Sequence, residues 1–256
     1  MNYVAKIIAV ANQKGGVGKT TTSVNLAACL AEAGKKVLLV DCDPQGNASS
    51  GYGIDKSALD TTIYQVIIEG TPVEQAIVHT DFQVDVLPAN IELAGAEVEL
   101  VAAISRETRL KRALDTVADT YDVILIDCPP SLGLLTLNSL AAADSVLMPI
   151  QCEFYALEGV SQLMNTIELV RTNLNARLEV EGVLMTMYDG RTRLAEQVVA
   201  EVRENFGELV YQTMIPRTVR LSEAPSYGEP IIYYDKRSKG AETYRQLAKE
   251  VMAHGK

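Results

Sequence analysis

Apolar and polar residues alternate in two different ways along the chain. Short runs rich in β-branched residues are separated by longer stretches in which apolar residues recur at helical spacing. This pattern is typical of an α/β fold with a mainly parallel, twisted sheet that is flanked by helices on both faces. The predicted strands are residues 7–10, 37–41, 84–87, 123–127, 145–148, 182–187 and a short 209–211. The predicted helices are residues 20–33, 106–118, 156–174, 194–205 and 240–253.

No repeat, low-complexity tract or linker divides the 256 residues of the chain. Because this length is within the range of one α/β unit, residues 1–256 are predicted to form a single domain. No apolar stretch approaches the ~20 residues that a membrane span requires, and the segment before the first strand is too short for a signal peptide. A soluble, cytoplasmic protein is therefore expected.

The four cysteines are widely spaced and form no C-x-x-C pair. They are Cys29, Cys42, Cys128 and Cys152. This spacing favours neither a zinc site nor a disulfide framework. We expect the cysteines to be small buried hydrophobic residues.

A glycine-rich loop joins the first predicted strand to the first predicted helix. Its residues are Lys14, Gly15, Gly16, Val17, Gly18, Lys19, Thr20 and Thr21. Successive glycines let backbone N–H groups surround phosphate oxygens, and the helix N-terminus adds its positive dipole end. In such a loop Lys19 reaches the β- and γ-phosphates and Thr20 holds Mg²⁺. The strand and helix on either side favour this nucleoside triphosphate site over a surface turn rich in glycine and lysine.

The loop departs from the common phosphate-loop pattern at two positions. Gln13 stands where that pattern has glycine, and a second lysine, Lys14, precedes the glycines. Lys14 is poorly placed to hold the γ-phosphate of its own nucleotide as well as Lys19 does. It is therefore available to another group, such as the nucleotide of a partner subunit.

Aspartates end two of the predicted strands. Asp41 is the last residue of one strand, and Asp43 follows just beyond it, at the edge where open α/β sheets place their ligands. We expect Asp43 to orient the attacking water, because Asp41 is still within the strand. The run 123–127 has four apolar residues before Asp127, the form of a Walker B strand whose aspartate holds Mg²⁺ directly or through water. Either aspartate alone could simply end a strand, but three motifs in this order indicate a nucleotide site.

Over nearly its whole length the chain resembles the ParA/Soj chromosome and plasmid partitioning ATPases. The resemblance is carried by the glycine-rich loop and by four further segments, residues 41–47, 127–133, 151–159 and 215–225. The loop alone is shared with MinD cell-division regulators, nitrogenase iron protein and arsenite-pump ATPases. Segments 151–159 and 215–225 are much more specific to the partitioning ATPases.

The resemblance implies a P-loop ATPase with a deviant Walker A motif, with ATP and Mg²⁺ as cofactors. It implies that Lys14 reaches across an ATP-sandwich homodimer, that Lys19 binds the phosphates of its own subunit, and that Asp43 is required for hydrolysis. Pro216 and Thr218 are expected in the wall on the adenine side. Intrinsic hydrolysis is expected to be slow, and a ParB-type centromere-binding protein is expected to stimulate it through a short basic N-terminal segment.

The net charge of −10 argues against indiscriminate attraction to DNA. Residues 171–256 nevertheless hold 13 Lys and Arg against 12 Asp and Glu, whereas residues 1–170 hold 10 against 21. A basic face is therefore expected only in the C-terminal third, although any one of its cations could be an ordinary solvated charge. The candidates are Arg191 and Arg220, which the resemblance favours, and the dense cluster of Lys236, Arg237 and Lys239. No recognition helix precedes the first strand, so base readout is not expected. The resemblance implies non-specific binding to double-stranded DNA and a nucleoid location.

Three other classes of protein compete with this interpretation. A MinD-like membrane regulator would need a C-terminal amphipathic helix with a cationic face, whereas residues 244–252 carry mixed charges and indicate a helix packed on the domain. We therefore expect no stable membrane association. An iron–sulfur reductase would need cysteines in mobile loops near a dimer axis. A small-molecule ligase or kinase would need a second substrate pocket that the sequence does not reveal.

Overall fold

A seven-stranded sheet forms the centre of the protein, in a computed structural model that describes residues 4–153 and 157–254. The strand order is β3-β4-β2-β5-β1-β6-β7, and every neighbouring pair is parallel except β3 with β4. The strands are β1 (Lys6–Val10), β2 (Val37–Asp41), β3 (Val78–His79), β4 (Val84–Leu87), β5 (Val123–Asp127), β6 (Ser145–Gln151) and β7 (Glu179–Thr186). The prediction of a mainly parallel sheet is confirmed.

Helices cover both faces of the sheet. They are α1 (Lys19–Glu32), α2 (Asn47–Ser50), α3 (Leu93–Val101), α4 (Arg109–Asp115), α5 (Leu134–Ala142), α6 (Glu158–Asn173), α7 (Arg193–Phe206), α8 (Val219–Glu223), α9 (Ile231–Tyr234) and α10 (Lys239–Ala253). One apolar core lies between the sheet and α3 to α7, and a second lies between the sheet and α1, α2 and α8 to α10. The two cores explain why helices are needed on both faces.

Both faces of strand β5 are buried, and its sequence explains why. Ile124 and Ile126 belong to the first core and Leu125 to the second, because successive side chains of a strand point to opposite faces. β5 lies between β2 and β1, and its last residue, Asp127, is in register with Asp41 of β2. The sheet therefore brings two carboxylates together at its carboxyl edge.

The predicted strand at 209–211 is wrong. A 3-10 turn, Gly207–Leu209, follows α7, and Val210 makes only an isolated bridge with Val183. Gly207 has a positive φ of 55°, so the chain turns sharply there. Val210 and Tyr211 are buried individually against β7 rather than as part of an extended strand.

Other predicted elements are confirmed with shifted ends, and some elements were not predicted. The helix predicted at 106–118 is shorter, Arg109–Asp115, and the one predicted at 156–174 is α6, whose first predicted residue, Ala156, lies outside the described residues. Helices α3 and α5 and the antiparallel edge strand β3 had no counterpart in the prediction. Among the described residues, no helix has both the length and the apolar character needed to cross a membrane.

Candidate nucleotide-binding site

The glycine-rich loop lies between β1 and α1 at the carboxyl edge of the sheet. Gly16 and Gly18 have φ values of 75° and 87°, in the left-handed region that favours glycine. A Cβ added to Gly15 or Gly16 would meet no described atom within 4 Å, so the loop backbone is open on that side. Helix α1 begins at Lys19 without a side-chain cap, which leaves the N–H groups of its first turn available to an anion. The loop thus fits a phosphate group.

The Lys19 side chain is buried beneath this loop and reaches from the start of α1 to the first residue of the loop. Its residue exposure is 7%, and its Nζ donates to the carbonyl oxygen of Lys14 at 3.2 Å. Burial lowers the pKa of Lys19, and the nearby carboxylates of Asp127 and Asp43 oppose that shift. The arrangement holds a cation at the position where a phosphate would enter the loop.

Lys14 is placed differently from Lys19. Its N–H donates to the Asn12 side chain at 3.0 Å, and Asn12 in turn donates to the carbonyl of Pro149 at 2.7 Å, which fixes the start of the loop to β6. The Lys14 Nζ is 3.6 Å from the Oε2 of Glu153, and both side chains are substantially exposed. The ammonium group of Lys14 is therefore paired at the surface and does not contribute to its own loop.

Asp127 connects the end of β5 to helix α1. The hydroxyls of Thr20 and Ser23 each donate to this carboxylate at 2.8 Å, and Asp127 is fully buried. Burial raises the pKa of Asp127, with a further increase from the Asp41 carboxylate. Carboxylate and hydroxyl oxygens are ligand types that suit Mg²⁺, and a bound cation would compensate this buried negative charge. The donor set thus fits the predicted magnesium site, with Thr20 and Asp127 as the candidate ligands.

Sequence analysis did not single out Ser23. It lies three residues after Thr20 on the same face of α1, so both hydroxyls reach the same carboxylate. The spacing within the helix was visible in the sequence. The approach of α1 to β5 was not.

Asp41 and Asp43 have different surroundings. The backbone N–H and the hydroxyl of Ser49 both donate to the Asp41 Oδ2 at 2.7 Å, so Asp41 anchors α2 to the sheet. Asp43 lies in the loop after β2, where it accepts the N–H of Gln45 at 2.9 Å and is close enough to Lys19 to influence its pKa. Asp43 therefore lies beside the phosphate loop, outside the strand, as its sequence position predicted.

A cavity of about 350 Å³ adjoins the phosphate loop on the side of β7. Pro216 and Thr218 line it together with Gly18 and Thr21 of the loop. Met187, which was not predicted, also lines the cavity and has a positive φ of 52°. The hydroxyl of Thr186 donates to the Val17 carbonyl at 2.8 Å, which holds this wall against the loop. The two residues predicted to border an adenine therefore border a cavity next to the phosphate loop.

Arg191 and Arg220, two of the predicted DNA-contact residues, are exposed and already paired. Arg191 donates from Nε and Nη2 to the carboxylate of Asp189 at 2.8 and 2.7 Å. Arg220 lies 3.1 Å from Glu223 and 3.5 Å from Asp235, and its guanidinium is over the ring of Tyr234. Arg220 lies within α8, which Thr218 caps.

Backbone contacts join these arginines into one region. The N–H of Arg217 donates to the carbonyl of Tyr188 at 3.2 Å, which joins the loop of Arg191 to the segment before α8. Residues 188–193 and 214–239 together hold seven Lys and Arg against four Asp and Glu. The exposed cations of this region include Lys236, Arg237 and Lys239. The region, called the basic face below, is positive in a protein that is acidic as a whole.

Helix α10 and the cysteines bear on two of the competing classes, the membrane regulator and the iron–sulfur reductase. The apolar residues Tyr244, Leu247 and Val251 of α10 are buried in the core that contains α1, so a packed α10 does not present them to a membrane. All four cysteines are buried, as predicted. Burial raises the pKa of Cys42 and Cys128, which disfavours the thiolate form that an iron–sulfur cluster needs.

Known proteins match the chain over most of its length. A protein-family model described as an AAA domain matches residues 5–180. Sporulation initiation inhibitor protein Soj of Bacillus subtilis is 62% identical over 253 residues, which cover 98% of this chain and 100% of that protein. Chromosome partitioning protein ParA of Myxococcus xanthus is 56% identical over 250 residues, covering 97% of this chain and 88% of that protein.

A solved structure is also similar throughout. It is a Mycobacterium smegmatis protein described as cobyrinic acid a,c-diamide synthase, with bound ATP analogue and magnesium. The TM-score is 0.87 and the identity 43%, over 98% of this chain and 96% of that chain. The resemblance predicted from the motifs is confirmed by the full-length relatives, and the chain belongs to the ParA/Soj family of partitioning ATPases.

Proposed function

We propose that the protein is an ATP-dependent switch that partitions chromosome or plasmid DNA. In this proposal it binds ATP with Mg²⁺, forms an ATP-sandwich homodimer and hydrolyses ATP slowly. The dimer binds double-stranded DNA non-specifically, and a ParB-type partner stimulates hydrolysis. The observation that carries the proposal is the difference between the two lysines of one loop. Lys19 is buried, whereas the side chain of Lys14 lies at the surface.

The phosphate loop would bind the ATP substrate through its backbone and Lys19. Residues 14–21 contribute to this site, and Pro216 and Thr218 border the cavity that would take the adenine. Thr20 and Asp127 would hold Mg²⁺, which neutralises phosphate charge when bound. The bound ATP analogue and magnesium of the M. smegmatis structure support the assignment of both.

Lys14 would make the switch depend on the nucleotide. Its pair with Glu153 is half exposed, and such pairs contribute about 0–1 kcal/mol, so the ammonium group is readily exchanged to a stronger anion. The γ-phosphate of a facing subunit would be such an anion. Loss of that phosphate on hydrolysis would remove the contact between subunits and favour their separation.

Asp43 is the residue best placed to orient the attacking water. Asp41 is occupied by both donor groups of Ser49, whereas Asp43 lies beside the loop. A carboxylate that only positions water gives slow hydrolysis, and a cationic side chain from a partner could accelerate it by stabilising transition-state charge. Slow turnover suits a switch.

The basic face would bind DNA phosphates. Because Asp189, Glu223 and Asp235 already pair with the arginines, one subunit is expected to bind DNA weakly. Two such faces on one rigid dimer gain from effective concentration, which would couple DNA binding to ATP and give a nucleoid location.

A second candidate function is a small-molecule synthase. It is favoured by the description of the M. smegmatis structure and by a cavity of about 390 Å³ that borders Thr20, Asn25 and Asn47. Stimulation of ATP hydrolysis by cobyrinic acid, with no response to DNA or a ParB-type protein, would favour the synthase. We expect the reverse, a response to DNA and a ParB-type protein and no stimulation by cobyrinic acid.

The first prediction separates the two lysines. Lys19→Ala should abolish nucleotide binding, because it removes the buried cation of the loop. Lys14→Ala should retain ATP binding and lose dimerisation, because its ammonium group is at the surface. Calorimetric ATP binding and sedimentation with ATP, with ADP and without nucleotide would measure both effects.

Wild-type protein should be dimeric with ATP and monomeric in the other two conditions. Equal losses of ATP affinity in the two variants, without a separate effect on dimerisation, would contradict a trans role for Lys14. A wild type whose size does not change with ATP would overturn the switch itself.

The second prediction concerns Ser23. Ser23→Ala removes one of two hydroxyl donors to Asp127 while the candidate ligand Thr20 remains. Loss of a hydrogen bond that orients a metal ligand typically weakens metal affinity about 10–100-fold. The Mg²⁺ concentration needed for half-maximal ATP hydrolysis should rise accordingly, and saturating Mg²⁺ should restore most of the activity. Ser139→Ala, on α5, is a buried serine control, and an equal Mg²⁺ requirement in wild type and Ser23→Ala would refute the role.

The third prediction is that Asp43→Ala binds ATP, dimerises and accumulates on DNA without hydrolysing ATP. The carboxylate would aid the attacking water and is not needed to hold the phosphates. Phosphate release and DNA co-sedimentation measure the two properties. Phosphate release at the wild-type rate would rule out this role for Asp43.

The fourth prediction tests the basic face. Arg220→Glu should weaken binding to unrelated DNA sequences by similar factors and lower the salt slope by about one per lost phosphate contact, with ATP binding and dimerisation intact. Arg177→Glu is the matched control, because Arg177 is exposed just before β7, at the amino edge of the sheet. If Arg220→Glu binds DNA like the control at matched salt and ATP, then Lys236, Arg237 and Lys239 become the candidates.

A further inference from the structure

Helix α3 and its flanks carry apolar side chains on two opposite faces. The inner face, with Leu93, Ala96 and Leu100, is fully buried in the first core. The outer side exposes four large apolar residues, with exposures of 69% for Ile91, 76% for Val98, 60% for Val101 and 88% for Ile104. Val98 and Val101 lie three residues apart on α3, Ile91 lies in the turn before the helix, and Ile104 lies in the turn after it; these four residues are called the α3 stripe.

Folding of the protein does not account for the α3 stripe. The inner face already gives α3 its place in the core, and the outer residues add nothing to that burial. Single exposed apolar residues are ordinary, but several on one helix face indicate an interaction surface.

The charge around the α3 stripe restricts what that partner can be. From residue 57 to residue 105 the chain has no Lys or Arg and eight Asp or Glu. Three of these carboxylates, Glu92, Glu97 and Glu99, lie on α3 or just before it. Arg106, the first cation after this run, donates to the carbonyl of Val101 at 2.9 Å and is paired with Glu107 at 2.8 Å. Glu99 accepts the hydroxyl of Tyr64 at 2.8 Å, which holds its carboxylate in place. A surface of this kind is complementary to a segment that combines apolar side chains with positive charge.

The α3 stripe is also connected to the nucleotide site. The Glu97 side chain of α3 lies against Gly133, in the segment that follows Asp127. Helix α3 also packs against α5, which begins directly after Gly133. Helix α3 thus links the surface that carries the stripe to the chain that leaves the candidate magnesium ligand.

We infer that the α3 stripe is the docking surface for a cationic amphipathic segment of the ParB-type partner. The inference rests on the proposed function for the identity of the partner and adds the surface that it occupies. A second copy of this chain is the less suitable occupant, because two acidic-rimmed stripes in contact would bring like charges together. The apolar residues would supply contact area, and the carboxylates would orient the segment.

The test compares Val98→Asp with Leu169→Asp in the full chain. Both replace an exposed aliphatic residue of a helix with the same charge, Val98 in the stripe and Leu169, 65% exposed, on α6. The probes are the full-length cognate ParB-type protein and a synthetic peptide of its basic segment. Val98→Asp should weaken peptide binding about tenfold or more and lose most of the stimulation of ATP hydrolysis, whereas Leu169→Asp should behave as wild type.

Glu92→Lys gives an independent measurement on the rim. It should weaken peptide binding mainly at low salt, because it reverses one attraction that salt screens. ATP-dependent dimerisation without the partner should be unchanged in all three variants, and circular dichroism and ATP binding would show that each remains folded.

The outcomes distinguish a failure of the proposed docking surface from a failure of the proposed function. If wild type responds to the partner and Val98→Asp responds equally, the surface is wrong and the proposed function stands. If Val98→Asp fails to dimerise with ATP in the absence of the partner, the stripe contacts a second copy and the inference is overturned. If wild type neither binds nor responds to the partner, both the partner assignment and the inference built on it fail.

Discussion

The buried carboxylate of Asp127 is the constraint on which the site depends. A carboxylate at the end of a fully buried strand is unfavourable unless donors or a cation compensate it. Thr20 and Ser23 provide two such donors, and both lie on the first turns of α1. The same bonds that satisfy Asp127 therefore fix α1 against β5, and the loop that connects β1 to α1 can close in only a restricted way. The geometry of the phosphate loop thus depends on how the buried charge of Asp127 is compensated.

The two lysines of the loop differ in burial and in what their side chains contact. Lys19 is enclosed, and its burial favours exchange of its contact with a backbone carbonyl for one with an anion. Lys14 is held away from that position because Asn12 fixes its backbone to β6, and Glu153, two residues beyond the end of β6, pairs with its side chain. An exposed pair of this kind is weak, so it leaves Lys14 available without leaving it unpaired. The different placement of the two side chains follows from where the backbone of the loop is attached.

Much of the fold could be predicted because its central strands are short apolar runs with clear ends. The bounds of β2 and β5 agree with the prediction because both strands end at an aspartate after continuous β-branched or aliphatic residues. Helix α5 was missed because it is buried on nearly all sides and begins at Gly133 without a side-chain cap, so neither periodicity nor a start signal marks it. The segment 209–211 has the composition of a strand, but it follows the turn at Gly207 and makes only an isolated bridge, between Val210 and Val183. The positions of Thr20, Asp43 and Asp127 in the site followed from the motifs, whereas Ser23, Met187 and Glu153 depend on contacts between distant elements, which one sequence does not reveal.

The distribution of charge gives the fold two surfaces that need not compete. Helix α3 follows β4 and the loop of Arg191 follows β7, and these strands lie toward opposite edges of the sheet. A cationic segment of a partner is itself attracted to DNA, because DNA is a polyanion. In the proposed function, an acidic surface on the α3 side would give such a segment a binding place apart from the basic face. One subunit of net negative charge would then bind DNA on the basic face and a cationic segment on the α3 side.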